Sequence, residues 1–260
     1  MPIDMVDKRV IVTGGARGIG GESSRYFAKE GAHVVMFDIN DDSGRQLAEE
    51  ASASGPGSVT YRHLDVSRRN DIAPAVDTAV EILGGLDAVF NIAGIARSAP
   101  AAETPLSDWD DQFAVNVKGL SYVCEAAFPH LRDRGGSIVN FAADSALMDD
   151  PLLSASYSAS KGAVISYTRT IAREWARFGI RANSVNPVVM TPNVEEFRSK
   201  MSPEERAQYA QEIDAQIPLG GQLGDIETDL APVLLFLASD ASRFITSQII
   251  PVNGGLAYTR

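Results

Sequence analysis

From Arg9 onward the chain repeats one rhythm, a short β-branched apolar run followed by a longer amphipathic stretch. "RVIVTGG" reads as a buried strand, and Gly18 to Gly31 as a helix closed by a C-terminal glycine. "HVVMFD" is a second strand, and "DDSGRQLAEEAS" a helix opened by a capping aspartate. "SVTYRHLD" is a third strand, with the helix "RRNDIAPAVDTAVEIL" after it. "LDAVFNIAG" precedes a long helix from Ser107 to Arg134, and "GSIVNFA" precedes one from Ser156 to Phe178. "IRANSVNPV" and a late "SQIIPVNGG" complete a set of seven strands. Strands that are apolar throughout, rather than at alternate positions, are buried on both faces, as in a parallel sheet covered by helices. The expected fold is therefore α/β, a doubly wound parallel seven-stranded sheet with helices on both faces. No Pro- or Ser-rich linker and no internal repeat interrupts it, so residues 1–260 read as a single dinucleotide-binding and catalytic domain. The weakest segment, Val188 to Gly224, is polar and helical in composition, and a long excursion of this kind reads as a substrate loop.

Composition removes several function classes. The net charge of −11 argues against nucleic acid, because neutralising phosphates requires clustered Lys and Arg. The single cysteine, Cys124, excludes an intramolecular disulfide framework and fits a reducing compartment. No basic neighbour flanks it, so it reads as a small apolar helix residue and not as a nucleophile. The start "MPIDMVDKRV" lacks the apolar stretch of a signal peptide, and no run is long enough to span a bilayer. A cytoplasmic protein with no membrane, metal or nucleic-acid partner is expected.

After the first strand, "TGGARGIG" places Gly14, Gly18 and Gly20 at the entry to a helix, with Arg17 and Ile19 between them. Glycines suit a sharp turn whose backbone must approach a pyrophosphate, and the helix N-terminus offers N–H groups and the positive end of its dipole. Asp38, eighteen positions beyond Gly20, ends the second strand. A carboxylate there can accept both ribose hydroxyls of NAD and would repel the 2′-phosphate of NADP. Arg17 pulls weakly the other way, since a guanidinium pairs with such a phosphate. NAD is the favoured cofactor. Asp65 and Val66 in "HLDVS" suit the adenine, and "NIAG" puts Asn91, Ala93 and Gly94 where the fourth strand must pass close to the cofactor.

Tyr157 and Lys161, at i and i+4, share one face of a helix. A free tyrosine, with a pKa near 10, is a poor base at neutral pH. An adjacent ammonium favours the phenolate, which can then take the hydroxyl proton of an alcohol while its hydride leaves for a nicotinamide.

"TGGARGIG", Asp65-Val66, "NIAG", Asn116 in "VNVKG", "YSASK" and the final "VNGG" occur in an order and spacing that resemble the classical short-chain dehydrogenase/reductase family over essentially the full chain. The resemblance implies a Rossmann-type fold, a nicotinamide dinucleotide and a homotetramer. It carries Tyr157 over as acid/base, Lys161 as the residue that lowers its pKa and binds nicotinamide ribose, and Asn116 as holder of a relay water. It also brings Pro187 and Thr191 to the nicotinamide side.

The match breaks at the family's serine, expected in "N-I-S-S" about thirteen residues before the tyrosine. Counting forward from Asn140 reaches Ala142 and Ala143, and counting back thirteen from Tyr157 reaches Asp144. Ser145 lies one further on. The loop is either shifted so that Ser145 reaches the substrate oxygen, or it points Asp144 into the site, or it leaves the site without a hydroxyl. Ser154 and Ser156 read as helix caps. A second departure is "NPVVMTP", with Val188 for the usual glycine and Thr191 four residues after Pro187 instead of five. The segment between Asn140 and Tyr157 is correspondingly one residue longer than the family's usual length, and the two changes read as mutually compensating. Thr191 reads as a carboxamide contact or a loop cap.

The expected function is NAD-dependent interconversion of a secondary alcohol and its ketone. The alternatives are an NAD-binding protein with weak or no turnover, and a tyrosine-independent chemistry such as dehydration. The substrate pocket is expected among Ala96 to Thr104, Ser145 to Leu153 and the 188–224 loop, with Met148, Leu152, Leu153, Val189 and Met190 as an apolar wall and Asp149 and Asp150 at its mouth. A cyclic alcohol, a sterol- or terpenoid-like ketone and a 3-oxoacyl thioester all stay open.

Overall fold

Seven strands form one sheet in the order β3-β2-β1-β4-β5-β6-β7, and every neighbouring pair runs parallel. They are β1 (Arg9–Thr13), β2 (His33–Asp38), β3 (Ser58–His63), β4 (Ala88–Asn91), β5 (Gly136–Phe141), β6 (Ile180–Pro187) and β7 (Ile249–Val252). The computed structural model describes residues 3–148, 154–212 and 214–257. The long helices are α1 (Gly18–Lys29), α2 (Asp41–Ser52), α3 (Arg69–Leu83), α4 (Leu106–Phe113), α5 (Leu120–Leu131), α6 (Ala155–Trp175), α7 (Pro192–Ser199), α8 (Pro203–Glu212) and α9 (Ala231–Ala238).

The strand pleat sorts side chains into two cores. Val10 and Val12 of β1, Val34 and Met36 of β2 and Phe90 of β4 meet Phe27 of α1, Leu47 of α2 and Leu234 of α9. The intervening residues Ile11, Val35, Phe37 and Val89 meet Ile72 of α3, Val123 of α5 and Val164 of α6 on the opposite face. Burial on both faces is why the strands carry no polar alternation.

Three features depart from the sequence reading. α9 and the π-helical turn Ile226–Leu230 before it were not expected between the last two strands. The run "APVLLFLA" is apolar at nearly every position, so it has no 3.6-residue period to read. The expected Ser107–Arg134 helix is α4 and α5 joined through a π turn at Ala114–Gly119. Asn40, not an aspartate, caps α2 by accepting the Ser43 N–H at 3.2 Å. Asp41 instead accepts Tyr61 Oη–H at 2.8 Å and pairs with His63 Nδ1 at 2.7 Å.

Cys124 is fully buried and accepts Asn91 Nδ2–H at 3.2 Å, and burial pushes its thiol up to about 12. It is a packing residue with no nucleophilic character. Asn91 also donates to Asn140 Oδ1 at 2.8 Å, and Asn140 Nδ2 donates to Thr168 Oγ1 at 2.9 Å. These bonds tie the ends of β4 and β5 to α6, and buried amides of this kind are costly to leave unpaired. Thr168→Val keeps the shape and removes the acceptor, and we expect a loss of about 1–3 kcal/mol in urea unfolding.

Candidate active site

The strand order reverses between β1 and β4, which opens a crevice at their C-terminal ends. Gly14 adopts φ +72°, and a Cβ there would lie 2.8 Å from the backbone of Ala93. A Cβ on Gly20 would lie on the Gly14 carbonyl oxygen. The β1 turn and the start of α1 therefore fit together only as glycines. Thr13, which the sequence reading missed, braces the crevice by accepting the Ile92 and Ala93 N–H groups, each at 3.2 Å. Its signal was its place directly ahead of the glycines. No acidic residue sits in the first turn of α1, which leaves its positive end available to an anion.

Asp38 closes β2 with its carboxylate turned to this turn, accepting Ala16 N–H at 3.1 Å and Asn40 N–H at 3.0 Å. Each oxygen keeps a further lone pair. Asp65 accepts the Ser67 N–H and hydroxyl at 2.9 and 2.7 Å, and Val66 packs in the core against Gly119. Asn91, expected to contact a cofactor, is buried, commits its amide nitrogen to Asn140 and Cys124 inside the sheet, and leaves its Oδ1 without a hydrogen bond.

α6 carries the Tyr157–Lys161 pair. Ser154 caps it, accepting Tyr157 N–H at 3.4 Å. Ser156 is no cap: it is fully buried and accepts Gln112 Nε2–H at 2.6 Å. Lys161 is buried, and its Nζ lies 5.6 Å from the Tyr157 ring centre and donates to the Phe141 carbonyl at 2.8 Å. Burial pulls its pKa down to about 8. Asn116, on the π turn, grips Ile95 from both sides: Oδ1 accepts its N–H at 2.8 Å and Nδ2 donates to its carbonyl at 2.9 Å. The same Nδ2 donates to Ser160 Oγ at 3.0 Å, and Ser160 donates to the Tyr157 carbonyl at 2.7 Å. Gly94 faces this cluster, since a Cβ there would sit 3.3 Å from Asn116 Oδ1 and 3.5 Å from Lys161 Nζ. The structure thus brings Gly94, Asn116, Tyr157 and Lys161 together. Gln112 and Ser160 were not foreseen: Gln112 stands in no motif, and Ser160, inside "YSASK", carries no signal of its partner.

Over residues 14–257 the chain matches a family model described as enoyl-(acyl carrier protein) reductase. It is 38% identical to a 3-oxoacyl-(acyl-carrier-protein) reductase of Thermotoga maritima, over 96% of this chain and 97% of that protein. Against cyclopentanol dehydrogenase of Comamonas testosteroni it is 36% identical, covering 96% of each chain. The structure of a short-chain type dehydrogenase/reductase from Mycobacterium ulcerans superposes with a TM-score of 0.89 at 28% identity, over 97% of this chain and 90% of that one. This chain belongs to the short-chain dehydrogenase/reductase family. It is an oxidoreductase of that family, acting on CH–OH groups.

Where the family places a serine, this dehydrogenase/reductase has Ala143, then Asp144 and Ser145 on a single 3₁₀ turn. Asp144 does not point into the reacting site through its oxygens. Oδ1 accepts Asn186 Nδ2–H at 3.2 Å and Oδ2 accepts Asn253 Nδ2–H at 2.6 Å. Burial pushes the pKa of this carboxyl above its ordinary value, and those two bonds offset that rise only in part. Ser145 Oγ is buried and makes no hydrogen bond. Val188 needs no left-handed backbone, and its N–H donates to Val252 at 2.9 Å. Pro187 ends β6 beside it. Thr191 caps α7, accepting Val194 N–H at 3.3 Å. Val189 is core and not pocket wall. Asp149, Asp150, Leu152 and Leu153 lie outside the described residues.

The cradle around Gly14 and Gly20, the free acceptor capacity of Asp38 and the open approach at Gly94 fit a nicotinamide dinucleotide. Lys161 is retained against its own burial. Its folded pKa lies below its usual 10.5, so between about pH 8 and that value the unfolded chain binds the extra proton. Stability from this group therefore rises with pH across that window, and below it the buried ammonium costs about 3 kcal/mol. Lys161→Met should abolish at least about 99% of turnover at pH 7 without lowering Tm, as activity assays and calorimetry would read.

Proposed function

We propose that this protein is an NAD-dependent dehydrogenase of small secondary alcohols, and of their ketones in reverse. The observation that carries the reading is the Lys161 ammonium, buried beside the half-exposed Tyr157 ring at the crevice mouth. That charge has one hydrogen-bond acceptor, the Phe141 carbonyl, and no carboxylate partner among the described residues. Its field is left to favour the tyrosine phenolate.

Tyr157 takes the alcohol proton at its hydroxyl oxygen and returns it in the reverse direction. Ser145 offers an uncommitted hydroxyl to the substrate oxygen. The bound dinucleotide would supply the hydride acceptor or donor. Asn116 spends its side chain on Ile95 and Ser160, so any water it orders must be held by its main chain, in the π turn where the regular helical ladder is broken. Gly14, Arg17, Gly18, Ile19 and Gly20 would bind the pyrophosphate. Asp65 and Val66 would flank the adenine, Ala93 and Gly94 the nicotinamide ribose with Lys161, and Pro187 and Thr191 the carboxamide.

NAD is preferred because the Asp38 carboxylate stands where a 2′-phosphate would enter. Arg17, on the glycine turn, is the one cation of that motif and pulls weakly the other way. The 188–224 excursion would cover the substrate. Its two ends are clasped as a short ladder, with Gly224 N–H donating to the Val188 carbonyl at 3.1 Å and Met190 N–H to the Gly224 carbonyl at 2.8 Å.

Cyclopentanol is the first probe, given the relative named for it. We expect NADH formation from cyclopentanol and NAD, at least about tenfold faster in kcat/KM than with NADP, and Asp38→Ser should narrow that ratio. Tyr157→Phe should remove about 99% or more of kcat while NADH binding by fluorescence stays within a few-fold. Full activity in Tyr157→Phe would instead assign a tyrosine-independent reaction.

A further inference from the structure

The chain departs from its family's pattern at two places, the serine loop and the Pro187-Val188 step, and in the fold these meet. Asp144 lies on the 3₁₀ turn after β5 and is 6% exposed. One oxygen takes the amide of Asn186, the residue before Pro187, and the other takes the amide of Asn253, the residue after the end of β7. Val188 N–H bonds to the Val252 carbonyl immediately alongside. Asn253 is itself fixed, donating from the same Nδ2 to the Ala257 carbonyl at 2.9 Å and accepting Gly255 N–H at 3.0 Å. Three segments distant in sequence therefore close on one buried carboxylate.

At its foot the loop is also tied to β6, where Ala142 N–H donates to the Val185 carbonyl at 3.0 Å. Further along, the Asp144 carbonyl accepts the N–H groups of Leu147 and Met148 at 2.7 and 2.9 Å, and Ala146 N–H bonds to the Ala143 carbonyl at 3.1 Å. Among the described residues these last three bonds lie within the loop and do not fix it to the sheet. Ser145 Oγ, next to the carboxylate, is buried with no partner. A hydroxyl left unpaired in the interior is unfavourable unless a ligand completes it.

The geometry points to Asp144 as the positioning residue of this site. Its clasp to Asn186 and Asn253 anchors the lengthened loop to the ends of β6 and β7, and so holds the Ser145 hydroxyl toward the substrate oxygen. The inference rests on the reading of Ser145 as the substrate donor. It assigns to Asp144, Asn186 and Asn253 a function that a shorter loop would not require.

Four proteins test it: the parent chain, Ser145→Ala, Asp144→Ala, and the double variant. Hydrogen exchange by mass spectrometry should show the 142–148 peptide exchanging at least tenfold faster in Asp144→Ala, with α1 and the glycine turn unchanged. Unaltered exchange there overturns the clasp whether or not any alcohol is turned over. With cyclopentanol and NAD, Ser145→Ala should lower kcat about 100-fold, as for loss of one aimed donor. Asp144→Ala should cost a comparable factor, with NADH affinity within threefold, and the double variant should be no worse than Ser145→Ala alone. Additive losses would overturn the positioning role and make Asp144 an independent contributor. Normal kcat in Ser145→Ala would instead sink the donor reading, leaving the exchange result to stand or fall by itself.

Discussion

An ammonium group buried in a protein interior is unstable unless its surroundings keep it charged, and much of the site is organised around one. Lys161 reaches its position because α6 is aimed across the end of β5, where its Nζ donates a hydrogen bond to the Phe141 carbonyl. That aim is set at the start of the helix by Ser154 and Gln112, and one turn further on by Ser160 and Asn116. Gly94 leaves this cluster room, because a Cβ there would crowd Asn116 Oδ1 at 3.3 Å and touch Lys161 Nζ at 3.5 Å. The pair at i and i+4 is trivial as local sequence. It becomes chemical because four elements converge to bury one end of it.

The sheet was legible because burial on both faces leaves a plain signature in its inner strands. The edge strands β3 and β7 are only partly buried and were placed by their position between helices and motifs. Six of the helices were readable as periodic or capped segments. The glycine turn, Asp38 and the Tyr157–Lys161 pair were legible for a related reason, since each is a rule about backbone space or helical spacing that acts between near neighbours in sequence. α9 was not, because a helix that is apolar all round has no face to detect. The π turn at Asn116 was hidden as well. It adds one residue to a turn without altering composition, and only the side-chain grip on Ile95 reveals why the helix widens there.

Asparagines account for most of what sequence reasoning misplaced. Asn40 took the cap assigned to an aspartate, Asn91 was turned inward to Asn140, and Asn186 and Asn253 were read only as parts of motifs. An amide carries donors and an acceptor on one short side chain, so it can serve in a cap, a sheet or a clasp equally well. Its position in the sequence carries no hint of which partner it finds. Threonine behaves similarly: Thr13 braces two backbone amides, and Thr191 accepts a helix N–H in place of any visible contact to a ligand.

The serine loop shows how such a family can change length beside its chemistry. Inserting one residue between β5 and Tyr157 moves the hydroxyl along the loop and adds chain whose conformation must be fixed at an entropic cost. A carboxyl group suits that task better than a hydroxyl, because its two oxygens can bind two segments at once. Asn186 and Asn253 are available as donors because they sit at adjacent strand ends, β6 and β7, whose register is set by the sheet. With valine in place of glycine at 188, the backbone beside them stays paired to β7 instead of turning away, which keeps both amides in reach of Asp144. On this account the two departures from the family pattern are one structural change, made at two points of the sequence that the sheet brings together.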